Sequence, residues 1–391
     1  MDISSPNNYR AAKNIEGYIL APIMVAMTMN GPWDRDIKRF NPDTFSGNIH
    51  LFQKIIAFLE IIGFISKDGT EYSFTDAGLF YVKRASAFGV TVSYLQTFSM
   101  INELVFGDPK KIWIKTDDGL ESHVDRYMNV WGSGGAHRIY FKKIDEIVEE
   151  IFNKPIDEQP AGIADMGCGD GTFLIHLYDL VTKSTERGKH LEQFPLHIVG
   201  ADFNKAAREA SRKNLEDRCI EHIVIDADIS KPYEYASNLK KLTGLRLSDM
   251  LNVRSFIDHN RVYSPPAEDI TVSAIRSSGT FCYRGRLIPN DELIQNLVEH
   301  FDSWRPFVGK FGLLALELHT ISPEVASKNI GNTLATAYDA THGLSDQYIV
   351  EHNVFLHAAS LSKLMHVPKY QALFPSAELT TVSINLMREH K

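Results

Sequence analysis

The chain has 391 residues, 44% of them hydrophobic and 23% charged, with a net charge of −8. That leaves room for two or three domains and a substantial core, is too ordinary for disorder, and without any basic run lacks the electrostatic footprint of a nucleic-acid binder. Cys168, Cys219 and Cys282 are too few and too scattered for a disulfide framework or a thiolate zinc site, which fits a reducing compartment. Met1-Asp2-Ile3-Ser4-Ser5-Pro6 lacks the layout of a signal peptide and no apolar run is long enough to span a bilayer, so a cytoplasmic protein with no membrane contact is expected.

Taken in order, residues 10–33 predict a helix, with Ile19, Leu20, Ile23, Met24 and Met27 on one stripe and Gly31-Pro32 as its stop. A second helix is expected at about 47–62, where Leu51, Ile55 and Leu59 share a stripe and Gly63 is placed as a C-cap. Phe64-Ile65-Ser66-Lys67 and Thr70-Glu71-Tyr72-Ser73-Phe74 flank Asp68-Gly69, a hairpin signal, and Thr75 suits the cap of a third helix. Helix, helix, hairpin, helix is a winged-helix order. Residues 84–150 read as mainly helical, broken at Gly107-Asp108-Pro109 and at Trp131-Gly132-Ser133-Gly134-Gly135-Ala136-His137. The second break is a flexible turn that serves equally well as an interdomain linker or as a cofactor lid, with Tyr127, Trp131 and Tyr140 as the lid's contacts. Pro155 to Pro160 closes this region, giving an N-terminal domain at 1–100, a helical connector at 101–158 and a further domain at 159–391.

That last domain alternates strand and helix as a doubly wound α/β sheet does. Gly162 to Met166 reads as a buried strand, and Asp165-x-Gly167-x-Gly169-x-Gly171 opens a helix through Phe173, Leu174, Leu177 and Leu180. The glycines allow a sharp turn and let a ligand lie against main-chain N–H groups at a helix N-terminus. Two more strands end in carboxylates, at Asp202 and at Asp228-Ile229. A fourth strand is expected within 248–256, followed by Asp258-His259-Asn260-Arg261 and a polar insertion to Arg286. Then come a helix at 291–304, a fifth strand at 311–319 carrying Glu317 and His319, the polar cluster Thr341-His342-Gly343-Leu344-Ser345-Asp346-Gln347, a helix at 346–366 and a last strand at 380–387.

An acidic strand followed by glycines at every second position resembles the class I S-adenosylmethionine (SAM) methyltransferases. The resemblance implies a Rossmann-like core of seven strands and SAM as cofactor. Asp165, Gly167, Gly169 and Gly171 would cradle it. Asp202 would receive ribose hydroxyls with Phe203 beside it, Asp228 would contact the adenine amino group, Ile229 would pack on the ring, and Tyr140 would reach in from the lid. The segment Tyr72-x-Phe74-Thr75-x-x-Gly78 is similar to the N-terminal module of small-molecule O-methyltransferases, which implies dimerisation and a wall for the substrate pocket rather than DNA binding; a homodimer is therefore expected.

Two chemistries are open at the fourth and fifth strands. His259, His319 and Gln347 could bind divalent iron, manganese or zinc, whose Lewis acidity would stabilise an enolate. Alternatively His259 is a general base for a substrate hydroxyl, although O-methyltransferases place a His-Asp pair and a tryptophan there, whereas this chain has Asp258-His259 and no tryptophan. His123-Val124-Asp125-Arg126, the 131–137 segment, Asp258-His259-Asn260-Arg261 and His342 to Gln347 together look like the C-methyltransferases of polyketide assembly, especially the metal-dependent ones of loading modules and their α-keto acid relatives. By that resemblance the reaction is methylation of a carbon beside a carbonyl, on a free or carrier-tethered acyl substrate. His319 and Gln347 would be metal ligands, and Glu317, His259 and Asp258 ligands, base or their supports. O-methylation of a small phenol or carboxylate is the second reading, and a SAM-binding scaffold or regulator without catalysis is the third.

Overall fold

A computed structural model describes the chain except for residues 1–4, 35, 115–121, 135–137, 271–274, 331, 332, 334 and 391. It divides into two compact units, Met1–Ile139 and Tyr140–Lys391.

In the first unit the Ser5 hydroxyl caps the helix Pro6–Met29, whose buried side is Leu20, Met24, Val25 and Met27. Asn48 caps the helix Ile49–Ile61, which buries Phe52, Ile56 and Leu59. Strands β1 (Arg39–Phe40), β2 (Ile65–Asp68) and β3 (Glu71–Phe74) form a sheet in the order β1-β3-β2. Gly69 makes the hairpin turn with φ of 64°, a left-handed conformation that glycine adopts without strain. The Thr75 hydroxyl accepts from Gly78 N–H and starts the helix Asp76–Val82. The winged-helix order is thus present, with β1 as an added strand too short to leave a period in the sequence. The 131–137 segment differs from expectation. Arg126–Gly134 is helical, and Gly132 packs against Gly89 so closely that a Cβ on Gly132 would lie 2.5 Å from the Val90 nitrogen. Trp131 joins the aromatic core around Trp33. Close packing overrides the turn signal of those glycines; Gly135, Ala136 and His137 lie outside the described residues.

The second unit is a doubly wound sheet of β4 (Gly162–Met166), β5 (His197–Asp202), β6 (His222–Asp226), β7 (Leu251–Ser255), β10 (Leu313–Leu318), β11 (Leu364–His366), β12 (Ala372–Phe374) and β13 (Val382–Glu389), with a separate hairpin of β8 (Phe281–Tyr283) and β9 (Arg286–Ile288) inside the polar insertion. The path β11-β13-β10-β7-β4-β5-β6 has the seven strands that the resemblance implies, although β11 lies where a helix was expected, and β12 pairs with β13 in addition. Strands β6, β5, β4, β7 and β10 are parallel and β13 runs antiparallel to β10. The period of two along a strand separates the faces. Ala164, Met166, Leu313 and Ala315 point into one core with Phe301 and Phe355, while Ile163, Leu314 and Leu316 point into another with Ile147 and Leu177. Both faces are covered by helices, which is why these strands read as near-continuous apolar runs. The helix expected at 346–366 is confined to His352–Leu361, because 364–366 pairs with β13 as β11. Among the described residues no helix is long and apolar enough to cross a membrane.

Candidate active site

The sheet order reverses at β4, between β5 and β7, and such a switch point opens a crevice at the carboxyl ends of the strands. Three glycines make the β4 turn with positive φ: 83° at Gly167, 54° at Gly169 and 81° at Gly171. Beside Gly169 a Cβ would meet nothing within 4 Å, so the backbone there is open to a ligand, while Gly167 and Gly171 have Ile257 and Ser211 close by. Asp202 Oδ2 accepts from Gly169 N–H at 3.2 Å and Oδ1 from Asn204 N–H at 2.8 Å, tying the end of β5 to the turn. Asp165 is buried with Oδ1 lacking a partner among the described residues. Burial, with the charge of Asp202 adding, pushes it up to about 8. The unpartnered Asp165 oxygen at the end of β4, beside the glycine turn, leaves room for one hydrogen bond from a ligand lying on that turn. Asp228 is half-buried just beyond β6, its carboxylate accepting from Ser230 N–H at 2.8 Å, and Ile229 is buried beside it. Phe203 is 72% exposed, a ring with one side uncovered. Tyr140 lies in the helix Arg138–Phe152 and packs edge-on against Phe256 and Phe374.

The second half of the site comes from β7 and β10. Phe256 leaves β7 in the left-handed region, φ 56°, and turns the chain sharply into the short helical turn Asp258–Asn260. Glu317, on the neighbouring strand, collects three donors: Asp258 N–H at 2.8 Å, Leu318 N–H at 2.6 Å and His259 Nδ1 at 2.5 Å. The carboxylate fixes the tautomer, with the proton on Nδ1, so Nε2 is the basic nitrogen; it accepts from Asn260 Nδ2 at 3.1 Å. Behind the dyad, Asp258 Oδ1 takes Arg254 Nη1 at 2.5 Å and His300 Nε2 at 2.8 Å. Burial alone would raise Asp258, but the Arg254 charge and the His300 hydrogen bond outweigh it and hold the carboxyl low. Arg254 in turn stacks on Trp304, 3.9 Å from the ring centroid. A cavity of about 10 Å³, enough for roughly one water-sized group, is lined by His259, Arg261, Glu317 and Tyr348. A wider cavity of about 350 Å³, lined by Arg187, Arg246 and Lys310, lies at the opposite, amino ends of the strands.

The proposed metal set is less convergent. His319 Nε2 faces Ser383 Oγ at 2.7 Å and Nδ1 faces the Val350 carbonyl at 3.2 Å, so both ring nitrogens are engaged. Gln347 is tied to the His259 loop by its neighbour, Tyr348 N–H donating to the His259 carbonyl at 2.8 Å. Among the described residues no three His, Cys, Asp or Glu side chains gather as a metal site. As arranged, the donor set does not fit a metal, and no step is derived through one.

The sequence alone assigns no role to His300, Arg254, Arg261 or Tyr348. A buried arginine inside an apolar strand was the one available signal, for Arg254; His300 had none.

The histidines have a consequence for stability. Burial lowers His300 to about 4 and His319 to about 3, against an ordinary 6.5. A folded-state pKa below the unfolded one means that the unfolded chain takes up the protons first. Their contribution is therefore complete above pH 6.5 and is lost as pH falls toward 4. The melting temperature should drop across that window, at about 1.4 kcal/mol per pH unit for each histidine. A melting temperature independent of pH there would show that the two rings are not held neutral.

The turn and the sheet order are those of SAM-dependent methyltransferases, and the family model that matches the chain makes the protein an enzyme of that class. More closely, it belongs to the AprA MT2-like methyltransferase family, whose model matches residues 121–385, more than half of the chain, while the AprA winged helix domain matches residues 16–108. No curated protein matches the sequence. Among solved structures, the mitomycin 7-O-methyltransferase MmcR is similar at 10% identity and a TM-score of 0.54, covering 99% of this chain and 100% of that one. An O-methyltransferase family protein from Burkholderia thailandensis has 11% identity and a TM-score of 0.53, covering 97% of this chain and 98% of its own. LepI, determined with SAH and a substrate analogue, has 10% identity and a TM-score of 0.50 over 99% of this chain and 90% of its own. At these identities the likeness is one of fold.

Proposed function

We propose that the enzyme methylates a small acceptor whose acidic proton, on a hydroxyl or on a carbon beside a carbonyl, is removed by His259. The observation that carries this is the dyad, with His259 Nδ1 held at 2.5 Å by a Glu317 carboxylate that is itself fixed by two main-chain N–H groups. SAM supplies an electrophilic methyl group on a sulfonium. This chain supports its binding with the turn at Gly167, Gly169 and Gly171, open at Gly169, an unpartnered Asp165 carboxyl oxygen, Asp202 for the ribose hydroxyls, and Asp228 and Ile229 for the adenine. Phe203 would cover the ring from its exposed side, and Tyr140 would brace the wall through Phe256. His259 Nε2 must exchange the Asn260 amide for the acceptor's proton, and Glu317 then stabilises the imidazolium. The test is SAH formation over a panel of phenols, α-keto acids and 1,3-diketones, free and as carrier thioesters, with the methylated atom identified by NMR; no turnover on any of them, with SAM still bound, would favour a scaffold.

A further inference from the structure

Arg261 and Tyr348 are buried beside the dyad, 2% and 1% exposed. Arg261 Nε donates to Asn296 Oδ1 at 2.8 Å and Nη1 to the Asp258 carbonyl at 3.1 Å, yet Nη2 has no partner among the described residues. The Tyr348 hydroxyl likewise has none. The guanidinium sits 5.5 Å from the Tyr348 ring centroid, and both residues line the small cavity that also contains His259 and Glu317. A buried donor left unpaired forfeits its hydration without compensation, and two at one cavity call for an acceptor atom that enters it. The nearby carboxylates do not pair with them: Glu317 is taken up by His259 and two main-chain N–H groups and Asp258 Oδ1 by Arg254 and His300, while Asp258 Oδ2, also at the cavity, makes no hydrogen bond to either donor among the described residues.

We propose that Arg261 Nη2 and the Tyr348 hydroxyl receive the oxygen that becomes negative when the acceptor gives its proton to His259. The inference rests on the base reading above and deepens it. His259 Nε2 takes the proton, the acceptor's electron pair forms the bond to the methyl carbon, the carbon–sulfur bond breaks with its pair passing to sulfur, and the proton leaves His259 for solvent. The negative charge carried between those events lies on an oxygen, either the attacking phenolate or the enolate oxygen of a carbon nucleophile. A cavity with room for about one oxygen admits that atom and little else. The acceptor class is therefore a phenol or an enolisable carbonyl. An amine, which develops no oxyanion, has no use for this donor pair.

The test uses the full chain and its Tyr348→Phe, Arg261→Lys and Arg261→Gln variants, with para-nitrophenol as an optical probe of ionisation and the best acceptor from the panel for kinetics. Bound probe should ionise about one pH unit or more below its value in water, and lose that shift in Tyr348→Phe and Arg261→Gln. The rate constant kcat should fall about tenfold or more in Tyr348→Phe and about 10²-fold in Arg261→Gln, with Arg261→Lys between them and SAM affinity unchanged. Tyr348→Phe removes a hydroxyl with no protein partner, so it remains decisive if Arg261→Gln folds poorly. Failure of the probe to bind, an unshifted ionisation, or a kcat unchanged in Tyr348→Phe overturns the inference. If His259→Asn loses activity while Tyr348→Phe and Arg261→Lys do not, this inference alone fails; if His259→Asn stays active, the base reading fails with it.

Discussion

Replacing His259 with asparagine should lower kcat by about 10²–10⁴-fold, the usual contribution of a positioned general base, while SAM binding stays near that of the native enzyme. Asparagine preserves a donor toward Glu317 but cannot accept and release the acceptor's proton. Because His259 lies in the short helical turn Asp258–Asn260 beyond the end of β7, the substitution leaves the sheet intact and the loss belongs to chemistry. Glu317→Gln should show a smaller loss in the same parameter. A glutamine still reaches Nδ1 but cannot stabilise the imidazolium, and one of its amide faces now opposes an N–H donor that the carboxylate had satisfied. Single-turnover kinetics under saturating SAM checks both. A His259→Asn enzyme within about tenfold of the native rate would move the base elsewhere.

The second large effect is expected at Asp202. Hydrogen bonds to a charged group contribute about 1.5–3 kcal/mol each, so losing the pair to the ribose hydroxyls should weaken SAM binding by about 10²-fold or more in Asp202→Ala. The alanine also releases Gly169 N–H and Asn204 N–H, which the carboxylate holds at 3.2 and 2.8 Å, and so loosens the glycine turn as well. Asp202→Asn, which keeps one acceptor oxygen, should fall between the two. Calorimetric titration with SAM decides it, and near-native affinity in Asp202→Ala would displace the ribose from this carboxylate.

The fold was legible where local chemistry and burial agree. Thr75 caps its helix and Gly69 turns its hairpin because those residues have few alternatives at those backbone angles, and β4, β5, β7 and β10 read as apolar runs because both of their faces are covered. Gly132 misled because a glycine that permits a turn also permits helices to touch, and only the position of Gly89 decides between them. β11 and β12 were missed because three-residue strands are specified by pairing to β13 and carry no period of their own. At the site, the acidic strand ends and Asp258-His259 with Glu317 stood out as polar groups ending apolar strands. His300, Arg254 and Tyr348 did not, since their significance is a contact across 42, 4 and 89 residues of sequence respectively, to Asp258 for the first two and to the His259 loop for Tyr348. His319 illustrates the converse: its place at a strand end suggested a ligand, whereas its ring nitrogens are spent on Ser383 and Val350.

If the His259–Glu317 dyad drives methyl transfer by acting as a base, turnover needs no metal. The most direct test is SAM turnover by the purified enzyme before and after chelation, with elemental analysis of both samples. Turnover should be undiminished in the metal-depleted enzyme and lost in His259→Asn. Stoichiometric iron, manganese or zinc, together with turnover that collapses on chelation and returns with the metal, would contradict the dyad's role as the base.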